Sequence, residues 1–187
     1  IVFERLLYKF AGPQRYNNIF CVPIQETKLP IALANYLVHQ DIGSLVKDWQ
    51  KYSGLNVAPL RGFGTVEYRQ MKGHRDMTYL FNWINLLFRM HKYARKQNFI
   101  LLFNHIKTLN STSLYEEFVK LVFKEDAPHL ITRTLQQDME SGVSTVKTIA
   151  LPSPFLSSLL SHIKNESDLL QALNISTATV TPTKEPT

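Results

Sequence analysis

Helical periodicity is the main feature of the hydrophobic pattern in the middle of the chain. Between residues 77 and 96, apolar side chains recur about every 3.6 residues, which predicts one long amphipathic helix. The predicted buried stripe of this helix consists of Leu80, Trp83, Ile84, Leu87 and Phe88. Asp76 directly precedes the segment and has the short acceptor side chain that suits an N-cap.

Shorter segments add further predicted helices around this one. They cover residues 1–10, 31–39, 42–51, 98–107, 113–124, 129–140 and 154–173, with a connector at 141–154. Ser113 and Glu116 have the spacing of a capping box, which predicts a helix start at Ser113. The Thr- and Pro-rich residues 176–187 lack core side chains, and we expect them to be disordered or to become ordered only on a protein partner.

Alternation of polar and apolar side chains predicts the strands. It is clearest at residues 63–70, where it sends Thr65, Glu67 and Arg69 to one face of the strand. The apolar run at residues 18–24 predicts a second, short strand. Strands within the first seventy residues, followed by helices, predict an α+β fold.

The composition is that of a folded globular protein. The chain has 187 residues, of which 44% are hydrophobic, and no apolar run approaches the roughly 20 residues of a membrane span. Cys21 is the single cysteine, which excludes a disulfide within the chain and suits a reducing, cytoplasmic compartment. The opening, IVFERLLYKF, resembles the interior of a helix, so we expect that residues precede Ile1 in the natural protein. The oligomeric state stays open.

The positive charge favours a polyanionic partner. The net charge of +6 would suit a nucleic acid, a nucleotide or an acidic substrate. Arg89, Lys92, Arg95 and Lys96 would form a nucleic-acid surface if they shared one exposed face. The alternative is that they end the long helix, where cations are favourable against the helix dipole. We favour this alternative, because the neighbouring aromatic residues form no RNA-binding motif.

Glu67 and Arg69 are the strongest candidate for chemistry. On a strand they lie about 7 Å apart on one face, so a carboxylate and a guanidinium stand side by side. Such a pair can bind a hard cation and a phosphate or carboxylate. The alternative is an ordinary surface ion pair, which contributes little to stability.

Four blocks then occur in a recognisable order. They are RYNNIFCVPI at 15–24, KYSGLNVAPL at 51–60, FGTVEYRQMKGHRD at 63–76 and FNWINLL at 81–87. In this order they resemble the amidoligase family, within the glutamine synthetase and glutamate–cysteine ligase-like superfamily. The resemblance covers residues 4–90, the C-terminal part of such a domain, and residues 110–187 carry none. It implies the antiparallel sheet of a glutamine synthetase-like fold, here partial, followed by a helical C-terminal region.

The resemblance implies an ATP- and Mg²⁺-dependent carboxylate–amine ligase. In that superfamily the substrate carboxylate is phosphorylated to an acyl phosphate, which an amine then attacks. By resemblance, Glu67 is a ligand of Mg²⁺, and Arg69 is the catalytic residue that binds the phosphoryl group or the substrate carboxylate. Arg15 and Asn56 are further candidates for phosphate or substrate contacts, and Tyr52 would support the same pocket.

Each further candidate has a structural alternative. Arg15 could hold the turn after Pro13, and Asn56 could satisfy local backbone groups. His74 lies in the turn after the strand, where a solvated turn histidine is the favoured interpretation. Trp83 and the aromatic residues of its helix are expected to belong to the core.

The predicted organisation has three parts. Residues 1–109 form the C-terminal part of an amidoligase-like domain, 110–175 a helical extension, and 176–187 the tail. Because the superfamily's other acidic metal ligands lie on earlier strands, a catalytic role requires a longer polypeptide or a separate chain.

Two functions follow from this resemblance. The leading hypothesis is a ligase fragment that joins a peptide or protein carboxylate to an amine. The alternative is a noncatalytic structural or assembly protein derived from the same fold. Amidoligases of this kind occur in phage genomes, so a phage source would place the protein in the host cytoplasm or in the virion.

Overall fold

The computed structural model describes residues 1–39, 41–47 and 49–150. Within these ranges the helices are α1 (Glu4–Ala11), α2 (Leu29–His39), α3 (Ile42–Lys47), α4 (Leu60–Phe63), α5 (Met77–Ala94), α6 (Phe99–Thr108), α7 (Thr112–Phe123) and α8 (Leu135–Ala150). Short 3-10 helices cover Pro13–Arg15, Ile24–Glu26 and Lys124–His129. Two strands, β1 (Leu55–Asn56) and β2 (Glu67–Tyr68), form an antiparallel pair. The described chain is thus mostly helical and α+β in the broad sense.

The predicted long helix is present, and its start is set as expected. The carboxylate of Asp76 accepts hydrogen bonds from the backbone N–H groups of Thr78 and Tyr79, at 2.9 and 3.4 Å. This satisfies two donors that the first turn of α5 would otherwise leave unpaired. Among the described residues, no helix combines the length and the hydropathy that crossing a membrane requires.

The predicted buried stripe of α5 is partly wrong. Trp83 is buried as expected, but Ile84 and Phe88 are exposed. The residue that joins Trp83 in the core is instead Leu86. The misassignment has a physical reason: α5 carries large apolar side chains on both of its faces, so periodicity alone does not select the face that packs.

The predicted strands are shorter than expected. Instead of a strand over residues 63–70, only Glu67 and Tyr68 pair with a neighbouring strand. One reason is that β1 offers only two partner residues. The other is that α4 covers the start of the predicted strand and ends at Gly64, which adopts the left-handed region at φ 65°. Residues 18–24 form turns, with a single parallel bridge from Val22 to Ser53.

Three predicted helix boundaries in the second half are wrong. One is the start of α8, which lies at Leu135 and not at residue 129. Helix α7 starts at Thr112, and the side chain of Ser111 at its N-cap position makes no capping hydrogen bond, so the predicted capping box at Ser113 is absent. Residues 141–150, predicted as connector, continue α8. The rest of that connector, the predicted helix at 154–173 and the tail at 176–187 lie outside the described residues.

The main core joins α1, α5, α7 and α8. Phe118 of α7 stacks on Phe3 with ring centroids 5.1 Å apart and contacts Tyr93 and His105. Gly142 of α8 allows the segment before α1 to approach closely, since a Cβ atom there would lie 2.7 Å from the carbonyl oxygen of Ile1. A second cluster, formed by Ile24, Leu29, Leu45 and Trp49, packs beneath the sheet-bearing loops.

Glu4 is a buried acid with an incomplete set of hydrogen bonds. Its Oε1 accepts from the backbone N–H of Ile24 at 2.8 Å, while its Oε2 is buried without a donor among the described residues. Burial raises the pKa of the Glu4 carboxyl above its ordinary value of 4.5. The carboxyl therefore holds its proton to a higher pH in the folded chain than in the unfolded one.

Phe118→Ala is expected to lower the free energy of unfolding by about 3–5 kcal/mol, since it leaves a cavity at the centre of the main core. Leu121→Ala, on the same helix at an exposed position, is the control and should change it by less than about 1 kcal/mol. Urea unfolding measures both. Equal losses in the two variants would contradict the assigned core.

Glu4→Gln tests the buried acid. Because the pKa of Glu4 is raised in the folded chain, the Glu4 carboxyl is protonated there at pH values where it has already ionised in the unfolded chain. The free energy of unfolding of the wild type therefore falls as pH rises from 4.5 through the native pKa of Glu4. The glutamine does not titrate, so the stability of the variant relative to wild type should increase as pH rises from 4.5 through the native pKa of Glu4. Glu117→Gln, at an exposed position, is the control, and a pH-independent difference for Glu4→Gln would contradict the assignment.

Candidate functional site

The two-stranded sheet brings Asn56 and Glu67 directly opposite each other. In the antiparallel register, Asn56 pairs with Glu67 and Leu55 with Tyr68. The side-chain amide of Asn56 donates from Nδ2 to Oε2 of Glu67 at 3.0 Å, and its Oδ1 accepts from the backbone N–H of Ala58 at 3.1 Å. Asn56 is only 3% exposed, and both the nitrogen and the oxygen of its side-chain amide are hydrogen-bonded. This buried amide therefore positions the carboxylate of Glu67.

Glu67 and Arg69 lie side by side, as strand alternation predicts. Nη2 of Arg69 donates to the same Oε2 of Glu67 at 2.8 Å. The Glu67 side chain is 46% exposed, and its other oxygen, Oε1, accepts no hydrogen bond from the described residues. The hydrogen bond from Asn56, followed by that from Arg69, lowers the pKa of Glu67, so it is an ionised carboxylate at neutral pH.

The ring of Tyr52 contacts Arg69, a second cation and a second aromatic ring. The guanidinium carbon of Arg69 and the Nζ of Lys51 each lie 5.6 Å from the ring centroid of Tyr52. The ring of Phe20 meets Tyr52 edge to face at 5.5 Å. Two cations on one aromatic ring, next to one carboxylate, favour an anionic group as ligand.

Arg15 holds the backbone that carries Arg69. Its Nη2 donates to the carbonyl oxygen of Arg69 at 2.6 Å, and its Nε donates to the carbonyl oxygen of Gln70 at 3.2 Å. This is a positioning role, and it differs from the predicted hold on the turn after Pro13. Direct contacts of Arg15 or Asn56 with a phosphate or substrate stay predictions.

The site fits part of a magnesium–nucleotide centre. Oε1 of Glu67 is one carboxylate ligand of the kind that Mg²⁺ prefers, and Arg69 with Lys51 can face phosphate oxygens. Within the described ranges, however, no three His, Cys, Asp or Glu side chains lie close enough to hold a metal together. The described residues therefore offer one candidate carboxylate for a metal and not a complete metal site.

His74 and Arg89 have structural partners. His74 stacks on Tyr79 at 4.4 Å, and its Nδ1 accepts from the backbone N–H of Asp76, as suits a turn histidine. Arg89 forms ion pairs with Glu125 and Asp126. Of the four cations considered as a nucleic-acid surface in the less favoured interpretation, Arg89 is therefore engaged in ion pairs within the fold.

Sequence reasoning found Glu67, Arg69 and Tyr52 but missed Lys51 and Phe20. Lys51 directly precedes Tyr52, and a cation beside an aromatic residue in a loop was the available signal. The sequence around Phe20 gave no such signal, because Phe20 meets Tyr52 only after the chain turns beyond Arg15.

Comparison with known proteins adds no relative. No protein-family model matches the chain, and neither a curated protein nor a solved structure shows significant similarity to it. The residues of the site and the order of the sequence blocks are therefore what indicate a function for this chain.

Proposed function

We propose that this chain contributes the Glu67–Arg69 part of an ATP- and Mg²⁺-dependent carboxylate–amine ligase. The two-stranded sheet would then be the part of a glutamine synthetase-like fold that carries the GTVEYR segment. The remaining metal ligands would come from outside the described residues, on a longer polypeptide or a separate chain. The substrates would be a peptide or protein carboxylate and an amine.

One observation carries the proposal: a preorganised carboxylate with a free oxygen lies directly beside Arg69, and Lys51 shares the Tyr52 ring with that guanidinium. Asn56 and Arg69 both bind Oε2 of Glu67, which leaves Oε1 available to a ligand. An ordinary surface ion pair needs no buried amide behind its carboxylate, and here Asn56 is buried to support it. Preorganisation of this kind is what a phosphoryl-transfer site requires of its protein groups.

The described residues have separate roles in this proposal. Glu67 would hold Mg²⁺ through Oε1, and Arg69 would bind the transferring phosphoryl group or the substrate carboxylate. Lys51 would add positive charge on the same aromatic ring, and Arg15 would keep the backbone of Arg69 in place. Magnesium-bound ATP would supply the phosphoryl group that activates the substrate carboxylate, and the residues named here would bind and orient it.

A second candidate function is a noncatalytic structural or assembly role, for example as a phage virion component. The observation that favours it is the exposed apolar face of α5, since Phe81 and Phe88 are each 58% exposed. Contiguous exposed apolar side chains mark surfaces that bind other proteins.

Glu67→Gln is expected to weaken magnesium-dependent ATP binding by about tenfold or more. The amide keeps an acceptor for Asn56 but loses the charge that a metal ligand needs, and charge-assisted contacts are worth about 1.5–3 kcal/mol. Calorimetric titration of Mg-ATP into the full chain measures the loss, with a second titration in EDTA to isolate the metal-dependent part.

The matched control is Glu117→Gln, which removes an exposed carboxylate from α7 and should leave binding unchanged. Arg69→Gln should weaken binding both with and without magnesium, since its guanidinium faces the anion itself. Mg-ATP binding that is equal in wild type and Glu67→Gln would overturn the ligase proposal. No binding to wild type would overturn the part of it that gives this chain a nucleotide contact of its own.

A further inference from the structure

Helix α5 exposes a continuous apolar stripe opposite its packed face. The stripe consists of Met77, Phe81, Ile84 and Phe88, which are 56%, 58%, 49% and 58% exposed. Successive members are four, three and four residues apart, so they lie on one line along the helix axis. The stripe is about 16 Å long, at a rise of 1.5 Å per residue.

The packed face of α5 does not account for this stripe. Trp83 and Leu86 already fill the side that meets the main core, and both are buried. Four large apolar side chains left in water in one line therefore indicate a surface that a partner covers.

The charges at the ends of the stripe restrict the partner. Helix α5 contains no Asp or Glu, and two exposed cations, Lys72 and Arg75, precede it. Three more follow the stripe at the other end: Lys92, Arg95 and Lys96, all exposed. Asp76 is engaged in capping the helix, and Glu125 and Asp126 are paired with Arg89.

We propose that this face of α5 binds an acidic amphipathic helix of another protein. The partner helix would lay apolar side chains spaced 3.6 residues apart along the stripe. It would place Asp or Glu at both of its ends, opposite the two groups of cations. An interface of this length belongs to the small, transient class.

The same charges disfavour the other occupants of such a face. A second copy of this chain would bring cations against cations in the parallel and in the antiparallel orientation, because both ends of α5 are basic. An anionic membrane would favour cations along both sides of the stripe. Here, at 100° per residue, Thr78 and Asn85 border one side, and the half-buried Leu80 and Leu87 border the other.

The inference shares its surface with the second candidate function and rests on that role, not on ligase chemistry. Mg-ATP binding and its loss in Glu67→Gln are measured at the two-stranded sheet. If the ligase proposal fails, the proposed binding surface on α5 is therefore unaffected, and the reverse also holds.

Binding of two designed peptides to the full chain tests the proposal. Both are 18-residue helices with leucines spaced to match the stripe. One carries Glu at both ends, and the other carries Lys at the same positions. Fluorescence anisotropy should show that wild type binds the acidic peptide at least tenfold more tightly than the basic one.

Two sets of variants separate the apolar and the charged contributions. Phe81→Gln with Ile84→Gln should weaken binding of the acidic peptide at least tenfold, whereas Leu121→Gln, at an exposed apolar position on α7, should not change it. Lys92→Glu with Arg95→Glu should remove the preference for the acidic peptide. All these positions are exposed, so circular dichroism should show an unchanged fold.

Three results would overturn the proposal. The first is no binding of the acidic peptide, or equal binding to wild type and to Phe81→Gln with Ile84→Gln. The second is dimerisation of wild type in sedimentation that the same double variant abolishes, which would assign the face to a second copy. The third is binding to phosphatidylserine vesicles that the double variant abolishes, which would assign it to a lipid surface.

Discussion

The packing of α1 against α8 holds both the helical core and the small sheet in place. Lys9 of α1 pairs with the buried Asp138 of α8, and Gly142 lets the two segments approach closely. On another side of α1, Tyr8 donates its hydroxyl to the carbonyl oxygen of Cys21 and packs over Gly54, just before β1. A change that separates α1 from α8 would therefore disturb the core and the sheet together.

The candidate site depends on this frame through two long-range contacts. The sheet itself has two residues in each strand, which is too little pairing to be stable without support. Arg15 supplies part of that support by donating to two successive carbonyl oxygens after β2. The buried amide of Asn56 then orients Glu67, so a surface carboxylate is positioned by groups that are themselves anchored in the interior.

Helix α5 connects the two functional proposals. Its first turn follows the segment that leaves the sheet, and Tyr68 of β2 donates to or accepts from Nε2 of His91 on α5 at 2.8 Å. One face of the helix stabilises the fold through Trp83 and Leu86, while the opposite face stays apolar in water. A partner bound to that face would thus lie on the element that borders the Glu67–Arg69 site.

Local spacing in the sequence determined the parts of this protein that depend on near neighbours. Periodicity located α5, the side chain of Asp76 located its start, and strand alternation placed Glu67 beside Arg69. Only the tertiary structure decided which face of α5 packs, because large apolar side chains line two opposite faces of that helix and periodicity cannot choose between them. Arg15 reaches the carbonyl oxygen of Arg69 across 54 positions of sequence, and Asn56 meets Glu67 only through strand pairing. Contacts of this kind depend on the path of the whole chain, which no spacing within a single segment encodes.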